Sequence, residues 1–322
     1  MARSDLLINI VKAGRNNDQA LLRQTVTALA ADERAMRHGV LADRLIKALG
    51  PAVAPGSPAA GVSVTEYGGM VYVGTTPRRL DGLDIAPQVR DACQALVREQ
   101  DGAERLRSHG LEPRHRILLA GPPGNGKTSL AEALATEIGV PFLVVRYDEI
   151  FKSMLGETGG RLRKLFDLAR RQRCVLFFDE FETIGKERGD AHEVGEIKRT
   201  VSGLLLHLDS LPSDVIVVAA TNHAGMLDRA AWRRFQIRLE LGPPTLEQRQ
   251  QWIDRLQDRL GTPLGPTPRE LAESLPATSF SELEQFCEDV LRGHVLALPG
   301  TPVESTVRTC LDQWKSRAQP AP

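Results

Sequence analysis

One eight-residue segment constrains this chain more than any other feature. Residues 121–128 have the sequence GPPGNGKT, which is the form of a glycine-rich phosphate-binding loop, G-x-x-x-x-G-K-[ST]. The apolar residues 117–120 before it predict a buried strand, and Leu130, Leu134 and Ile138, spaced by four, predict a helix after it. Backbone N–H groups at such a helix N-terminus point at a phosphate and favour its charge. A strand, loop and helix in this order predict a nucleotide site in an α/β fold.

The residues of this loop each have an expected role. Glycines let the backbone wrap closely around phosphate oxygens, where other side chains would keep it away. We expect Lys127 to reach the β- and γ-phosphates and the Thr128 hydroxyl to ligate a metal, so the expected cofactors are ATP and Mg²⁺. The alternative, a Gly–Pro turn with a chance lysine, is disfavoured by the flanking strand and helix. The predicted cofactor-binding residues of the loop are Pro122, Pro123, Gly124, Asn125, Gly126, Lys127, Thr128 and Ser129.

A second apolar run ends in two carboxylates. Residues 175–178 predict a buried parallel strand, and Asp179 and Glu180 follow at its carboxyl end. Ligands bind at that edge of doubly wound sheets. We expect Asp179 to hold Mg²⁺ together with Thr128, and Glu180 to polarise a water for attack on the γ-phosphate. The alternative is a strand that ends in solvated acids, and the upstream phosphate loop favours the catalytic interpretation.

A third strand and an arginine pair extend the series. Residues 215–220 predict another buried strand, and Asn222 follows it. The Asn222 amide can hydrogen-bond the attacking water or the γ-phosphate without competing for the metal. Arg233 and Arg234 come eleven and twelve residues later. Outside this context, a strand-end asparagine is usually a turn residue and an arginine pair is usually a solvated surface feature.

Four segments together resemble a known family. The series GPPGNGKT, VLFFDE, AATN and LDRAAWRRF resembles the AAA+ ATPases over about residues 80–290. The last segment is similar to the arginine-bearing second region of homology of the AAA subgroup, and its adjacent arginines resemble the katanin–spastin type. The resemblance implies a stand-alone, single-module ATPase of bacterial type, with a P-loop doubly wound parallel sheet and a C-terminal helical lid. It also implies that Asn222 is the sensor-1 residue and that Arg233 and Arg234 are arginine fingers, which reach into a neighbouring subunit's site in a hexameric ring.

Composition narrows the class of protein. The 322 residues have 42% hydrophobic content, which supports a substantial core. Lys plus Arg equals Asp plus Glu at 41 each, and aromatic residues make up only 5%, which disfavours a nucleic-acid or membrane partner. The four cysteines lie far apart without metal-ligand spacing, and the first residues lack a signal-peptide core. We therefore expect a cytoplasmic protein with free thiols.

Sequence patterns divide the chain into four predicted segments. Residues 1–50 predict an N-terminal helical module, and residues 51–61 predict a Pro/Gly/Ala linker. Residues 62–242 form the predicted nucleotide domain, which begins with a small hairpin over 62–73, and residues 243–322 form the predicted helical lid. The predicted strands are 117–120, 142–146, 175–179, 215–221 and 236–241. The predicted lid helices are 247–260, 268–275, 280–296 and 303–314.

Substrate handling depends on a loop and on the N-terminal helices. Met154, Leu155 and Gly156 follow the second predicted strand, where AAA proteins carry an aromatic–aliphatic–glycine pore loop that grips an extended polypeptide. Methionine replaces the aromatic here and can still make adaptable apolar contacts. The alternative is that Met154 and Leu155 pack against the following helix. The N-terminal helices are expected to recruit a partner, or alternatively only to aid assembly.

Three classes of function fit this series to different degrees. The first is an ATP-driven, ring-forming remodeller of protein substrates, which we favour. The second is a nucleotide-gated switch that regulates a separately encoded partner, such as a protease. The third is a nucleic-acid motor, which the neutral charge and the few aromatic residues disfavour. An intact Glu180 and arginine pair favour hydrolysis, although a slowly hydrolysing switch would keep them too.

Overall fold

The computed structural model describes residues 64–74, 78–151, 158–184, 203–227, 229–275, 278–298 and 300–317, together with Thr25, Val26 and Leu29. The chain divides into two compact units, Met1–Ala60 and Gly61–Pro322. In the first unit the three described residues are helical and buried. The predicted helical module over 1–50 otherwise lies outside the described residues, as does the predicted linker, and both stay predictions.

The second unit is built on a six-stranded sheet. Its strands lie in the order β1-β3-β4-β5-β2-β6. β1 pairs with β3 in antiparallel fashion, and every other neighbouring pair is parallel. The strands are β1 (Val71–Val73), β2 (Arg116–Ala120), β3 (Phe142–Val145), β4 (Cys174–Phe178), β5 (Val215–Thr221) and β6 (Ile237–Glu240). The five strands predicted from sequence are confirmed, each within one residue at either end.

The strands form here because their sequences are continuously apolar. Every residue of β3, β4 and β5 is buried, which is the pattern of parallel strands covered on both faces. One core lies between the sheet and the helices that contribute Leu96 and Leu134, and the other lies on the opposite face around Phe166 and Leu208. Two covered faces make the sheet doubly wound, as predicted.

Helices cover both faces of the sheet and continue into the lid. Residues 203–209 are also helical and contribute to the core on the face that holds Phe166. The helices are α1 (Pro87–Asp101), α2 (Ala103–Ser108), α3 (Lys127–Ile138), α4 (Tyr147–Phe151), α5 (Thr158–Ala169), α6 (Arg229–Arg234), α7 (Leu246–Leu260), α8 (Pro268–Ser274), α9 (Phe280–Leu296) and α10 (Val303–Arg317). In the described part of the chain, no helix combines the length and apolar character that crossing a membrane requires.

The predicted hairpin over residues 62–73 is wrong. Val64–Tyr67 is a 3₁₀ turn, and only Val71–Val73 is a strand. That strand pairs with β3, at Val71 with Val145 and Val73 with Leu143, instead of folding back on residues 64–67. An isolated two-stranded hairpin is marginally stable, so a three-residue strand gains more from the open edge of an existing sheet.

The C-terminal region forms a helical lid with its own core. The four helices match the predicted ones within three residues at each end. Three of them begin with capping boxes, formed by Thr245 with Gln248, Thr267 with Glu270, and Ser279 with Glu282. A capping box satisfies backbone N–H groups that a helix start leaves open, so these boxes fix where the lid helices begin. The residues of the lid core include Ile253, Leu271, Leu283, Phe286, Val290 and Trp314.

Candidate nucleotide site

The phosphate loop lies at the carboxyl edge of the sheet, where the strand order reverses. β2 leads into the loop and lies between β5 and β6, while the next strand in the chain, β3, lies beyond β4 and β5. α3 begins at Lys127, directly after the loop. Ligands of open α/β sheets bind in the crevice at such a reversal point, so the fold places the predicted loop where a nucleotide site belongs.

Two loop glycines occupy positions that other residues cannot. Gly121 has a φ of 142°, and a Cβ there would lie 2.1 Å from the carbonyl oxygen of Leu241. Gly124 has a φ of 76°, and its Cβ would lie 2.7 Å from the Ser279 hydroxyl oxygen. Both the backbone conformation and the close neighbours therefore require glycine. The second contact also brings the lid against the loop.

The Lys127 side chain is tied into the loop. Its relative exposure is 7%. The ammonium donates to the carbonyl oxygens of Gly121 at 2.8 Å and Pro122 at 2.9 Å, and to Asn222 Oδ1 at 2.7 Å. These contacts match the three donors of an ammonium group. A phosphate oxygen that accepts from Lys127 therefore has to replace one of them.

Three carboxylates lie close together after β4, and they differ in burial. Asp179 is half-buried, and its Oδ1 accepts the backbone N–H of Glu180 at 2.9 Å. Glu180 is exposed and has a φ of 44°, and it is the one non-glycine with positive φ in the described ranges. Backbone strain of this kind clusters at functional sites. Glu182 is buried with 4% exposure, and its Oε1 accepts the backbone N–H of Asn222 at 3.1 Å.

Burial and the neighbouring carboxylates shift the pKa values of Lys127 and Tyr147. Burial lowers the pKa of the Lys127 ammonium, and the carboxylates of Asp179 and Glu182 oppose that shift. Tyr147 follows β3, and burial raises the pKa of its hydroxyl well above the usual value, with further increases from Asp179, Glu182 and Glu180. Sequence reasoning missed Tyr147 and Glu182. The sequence did carry a signal for Glu182, because it is a third acidic residue close after Asp179 and Glu180.

The residues predicted to hold a metal fit Mg²⁺ by their chemistry. Thr128 offers a hydroxyl in the first turn of α3, next to the half-buried Ser129, and Asp179 offers a carboxylate at the end of β4. Magnesium prefers hard oxygen ligands and usually takes one or two carboxylates plus substrate phosphates. The donor set at this edge of the sheet therefore suits a Mg²⁺-nucleotide complex.

The lid touches the phosphate loop directly. The backbone N–H of Ser281 donates to the Gly124 carbonyl at 3.0 Å, and the Ser281 hydroxyl donates to the same oxygen at 3.2 Å. The backbone N–H of Phe280 donates to Asn125 Oδ1 at 3.3 Å. The buried Asn125 side chain is thus used to join the loop to the start of α9. The position of the lid and the conformation of the loop are coupled through these contacts.

A cavity of about 420 Å³ opens beside the loop, between the sheet domain and the lid. Its walls combine the segment that leads into α1 with the first turn of that helix, the end of β6, and the starts of α7 and α9 in the lid, with Asn125 at the loop side. Representative lining residues are Ile85, Val89, Leu241, Thr245 and Phe280. A mostly apolar cavity of this size with a few polar groups is typical of a small-molecule site. Of its lining residues, the sequence predicted Asn125, as part of the phosphate loop. The other walls left no local signal, because they come from segments about 160 residues apart.

One carboxylate links the two walls of this cavity. Asp84 accepts two hydrogen bonds from the Arg255 guanidinium, each at 2.9 Å, and one from Trp252 Nε1 at 2.8 Å. Gln248 Nε2 donates to the Asp84 carbonyl at 3.3 Å. The hydrogen bonds from Arg255 hold the pKa of the Asp84 carboxyl below its usual range, against the effect of burial. Asp84 therefore fastens α7 of the lid to the sheet domain.

The predicted arginine pair lies away from the phosphate loop of its own chain. Arg234 Nε donates to Asp209 at 2.8 Å, and Arg116, at the start of β2, donates to the same carboxylate at 2.6 Å. The loop follows the other end of β2, and five strand residues span about 13 Å. Arg234 is therefore held at the opposite edge of the sheet, and Arg233 beside it is exposed. The predicted pore-loop residues Met154, Leu155 and Gly156 lie outside the described residues.

The fold and this site define a P-loop nucleotide-binding protein of the doubly wound α/β class. Residues 117–243 match the family described as "ATPase family associated with various cellular activities (AAA)". The chain is 33% identical over 304 residues to the "Uncharacterized AAA family ATPase y4kL" of Sinorhizobium fredii, which covers 92% of this chain and 90% of that protein. The chain belongs to the AAA family of ATPases, and it is an enzyme that hydrolyses ATP.

Other relatives match a shorter part of the chain. Peroxisomal ATPase pex6 of Schizosaccharomyces pombe is 39% identical over 172 residues, which are 51% of this chain and 18% of that protein. Proteasome-activating nucleotidase 2 of Haloferax volcanii is 35% identical over 177 residues, which are 53% of this chain and 43% of that protein. This chain therefore matches less than half the length of each of these two proteins.

Proposed function

We propose that the protein assembles into a hexameric ring and uses ATP hydrolysis to remodel protein substrates. The observation that supports assembly is the place of the arginine pair. Arg233 and Arg234 lie at the edge of the sheet opposite their own phosphate loop, and Arg234 is held there by Asp209. An arginine that stabilises the γ-phosphoryl group then has to come from a neighbouring subunit.

Within each site we assign one role to each of the following residues. Lys127 binds the β- and γ-phosphates in exchange for one of its present acceptors, and Thr128 and Asp179 hold Mg²⁺. When bound, Mg²⁺ neutralises charge on the phosphates. Glu180 orients and polarises the attacking water, and Asn222 hydrogen-bonds that water or the γ-phosphate. We assign the adenine base to the 420 Å³ cavity beside the loop, since Asn125 lines it and its walls are mostly apolar.

Protein remodelling is the favoured outcome of hydrolysis. The relatives named peroxisomal ATPase and proteasome-activating nucleotidase support a protein-directed activity at the level of the family. Met154, Leu155 and Gly156 are the proposed substrate-gripping loop. A nucleotide-gated switch that regulates a separate partner is the second candidate, because it needs the same ATP site and the same arginine pair.

Mixed rings test the assembly. Arg233→Ala should lower ATP turnover strongly at an unchanged melting temperature, because Arg233 is exposed. Arg234→Ala should lower both, because it also leaves Asp209 without one of its partners. Mixing Arg233→Ala subunits with Lys127→Ala subunits should restore part of the turnover, since a mixed interface joins an intact phosphate loop to an intact arginine. Turnover per subunit that stays constant from high concentration to full dilution contradicts a ring.

A pore-loop variant separates remodelling from switching. The double change Met154→Ala and Leu155→Ala should abolish ATP-dependent unfolding of a tagged model protein while ATP turnover persists, because the phosphate site is untouched. Met154→Tyr is the matched control, and it should retain unfolding because a larger apolar face contacts more of an extended chain. Full unfolding activity in the alanine variant rules out gripping by this loop and leaves the switch as the better explanation.

A further inference from the structure

Glu182 stands apart from the other acids of the site. Asp179 is half-buried and Glu180 is exposed, whereas Glu182 is 4% exposed. Its Oε2 is buried and has no hydrogen-bond partner among the described residues. A buried polar atom of this kind costs stability, so its presence in a folded protein calls for a reason.

The local fold holds Glu182 firmly in this place. Phe178, the last residue of β4, and Phe181 contact each other edge to face at 6.2 Å between ring centroids. Phe181 also packs edge to face against Phe235 at 5.6 Å. Thr183 closes the turn by donating its backbone N–H to the Glu180 carbonyl at 2.8 Å. The aromatic contacts fix the turn that carries Glu182, so its carboxylate has little freedom to move.

The other carboxylate oxygen of Glu182, Oε1, is hydrogen-bonded to the backbone of Asn222. β5 ends at Thr221, so the sheet ladder stops one residue before Asn222. The Asn222 N–H donates to Glu182 Oε1 at 3.1 Å, and the Asn222 side chain accepts from Lys127 at 2.7 Å. A continuous chain of contacts thus runs from Glu182 through the backbone and side chain of Asn222 to the phosphate-binding lysine.

We infer that Glu182 is a positioning residue, which anchors the backbone of Asn222 while the Asn222 side chain changes partners. All three donors of Lys127 have acceptors on the protein, so a phosphate oxygen can displace the Asn222 amide from the lysine. The released amide then has to meet the attacking water or the γ-phosphate within hydrogen-bond distance. Glu182 keeps the main chain in place during that exchange. This inference rests on the role proposed above for Asn222.

The test measures kcat and KM for ATP, together with the melting temperature, in a small set of variants. Glu182→Ala should lower kcat by about tenfold or more and change KM by less than about threefold, because positioning acts on turnover more than on binding. Its melting temperature is measured as well, because the variant removes the unpartnered buried oxygen but also the acceptor of the Asn222 N–H. Glu182→Gln keeps an acceptor for the Asn222 N–H and should recover most of the lost turnover. Glu182→Met, of similar length without an acceptor, replaces the alanine variant if that one does not fold.

A double variant decides whether Glu182 acts through Asn222. The turnover of Glu182→Ala combined with Asn222→Ala should equal that of Asn222→Ala alone, because residues that act as one unit are not additive. Multiplied effects overturn the inference, as does full turnover in Glu182→Ala or a glutamine variant as slow as alanine. If Asn222→Ala itself turns over ATP like the wild type, the proposed role of Asn222 fails instead. The two failures are therefore distinguishable.

Discussion

The two ends of the nucleotide site are built in different ways. The phosphate end comprises the loop of residues 121–129 and the strand-end residues Asp179, Glu180 and Asn222. The proposed base end is the cavity beside the loop, where Asp84 and Arg255 fasten its two walls together. At the phosphate end, the critical groups follow directly from buried strands of one sheet. At the base end, the walls come from the sheet domain and the lid, and the hydrogen bonds of Asp84 with α7 join them.

This difference indicates which end can change shape. The phosphate end is anchored by β2, β4 and β5, whose residues are almost all fully buried. The base end depends on where the lid lies, because α7 is held by Asp84 and the start of α9 by Gly124 and Asn125. A change in lid position would therefore alter the cavity while leaving the strand ends in place. We expect variants at the two ends to separate chemistry from base recognition.

The largest expected effects lie at the phosphate end. Glu180→Gln should lower ATP turnover by about 10²- to 10⁴-fold, because it removes the proposed base that activates water, while Mg-ATP binding is retained. Lys127→Ala should instead lose nucleotide affinity, since the lysine is the proposed phosphate-binding residue. Calorimetric titration measures nucleotide affinity, and steady-state assays measure turnover. Lys315→Ala in the lid is the control, and it should change neither quantity. Equal turnover in wild type and Glu180→Gln contradicts the assignment.

A smaller effect is expected at the base end. Asp84→Asn weakens the contacts with Arg255 and Trp252, and loss of charged hydrogen bonds of this kind costs about 1.5–3 kcal/mol. ATP affinity should fall about tenfold, while affinity for inorganic tripolyphosphate, which has no base, should stay unchanged. Asp81→Asn is the matched control, because the Asp81 side chain is 89% exposed and lies 3.9 Å from its arginine partner. An equal loss for ATP and tripolyphosphate contradicts the division into two ends.

The smallest expected effect is the pH dependence of the same contact. The pKa of Asp84 lies below its ordinary value of 3.8, so the folded protein favours the charged carboxylate. Its contribution to stability is present above pH 3.8 and is lost as the pH falls through the lowered pKa. The difference in melting temperature between wild type and Asp84→Asn should therefore be constant from pH 7 to about pH 5 and shrink below pH 3.8. A constant difference down to pH 3 contradicts a role for the Asp84 charge.

Local patterns predicted much of the fold and pointed to the loop and strand-end residues of the candidate site. Continuous apolar runs located β2 to β6, and helical spacing located the lid helices, because strands and helices form from neighbouring residues. The prediction of a hairpin over residues 62–73 was wrong because the strand partner comes from a distant part of the chain. Alternation was visible in the sequence, but the open edge of β3 decided which partner Val71–Val73 would take. Pairing across 70 residues leaves no local pattern in either strand.

The sequence by itself determined the phosphate loop, the strand ends that carry Asp179, Glu180 and Asn222, and the family. Each is a short pattern whose spacing places backbone and side chain directly. Only the tertiary structure decided that Glu182 is the buried acid, that Asp84 joins the lid to the sheet domain, and that Arg234 pairs with Asp209. Burial and ion pairing depend on which distant segments of the chain become neighbours in the fold. Side-chain packing between such segments leaves no periodicity or motif in the sequence.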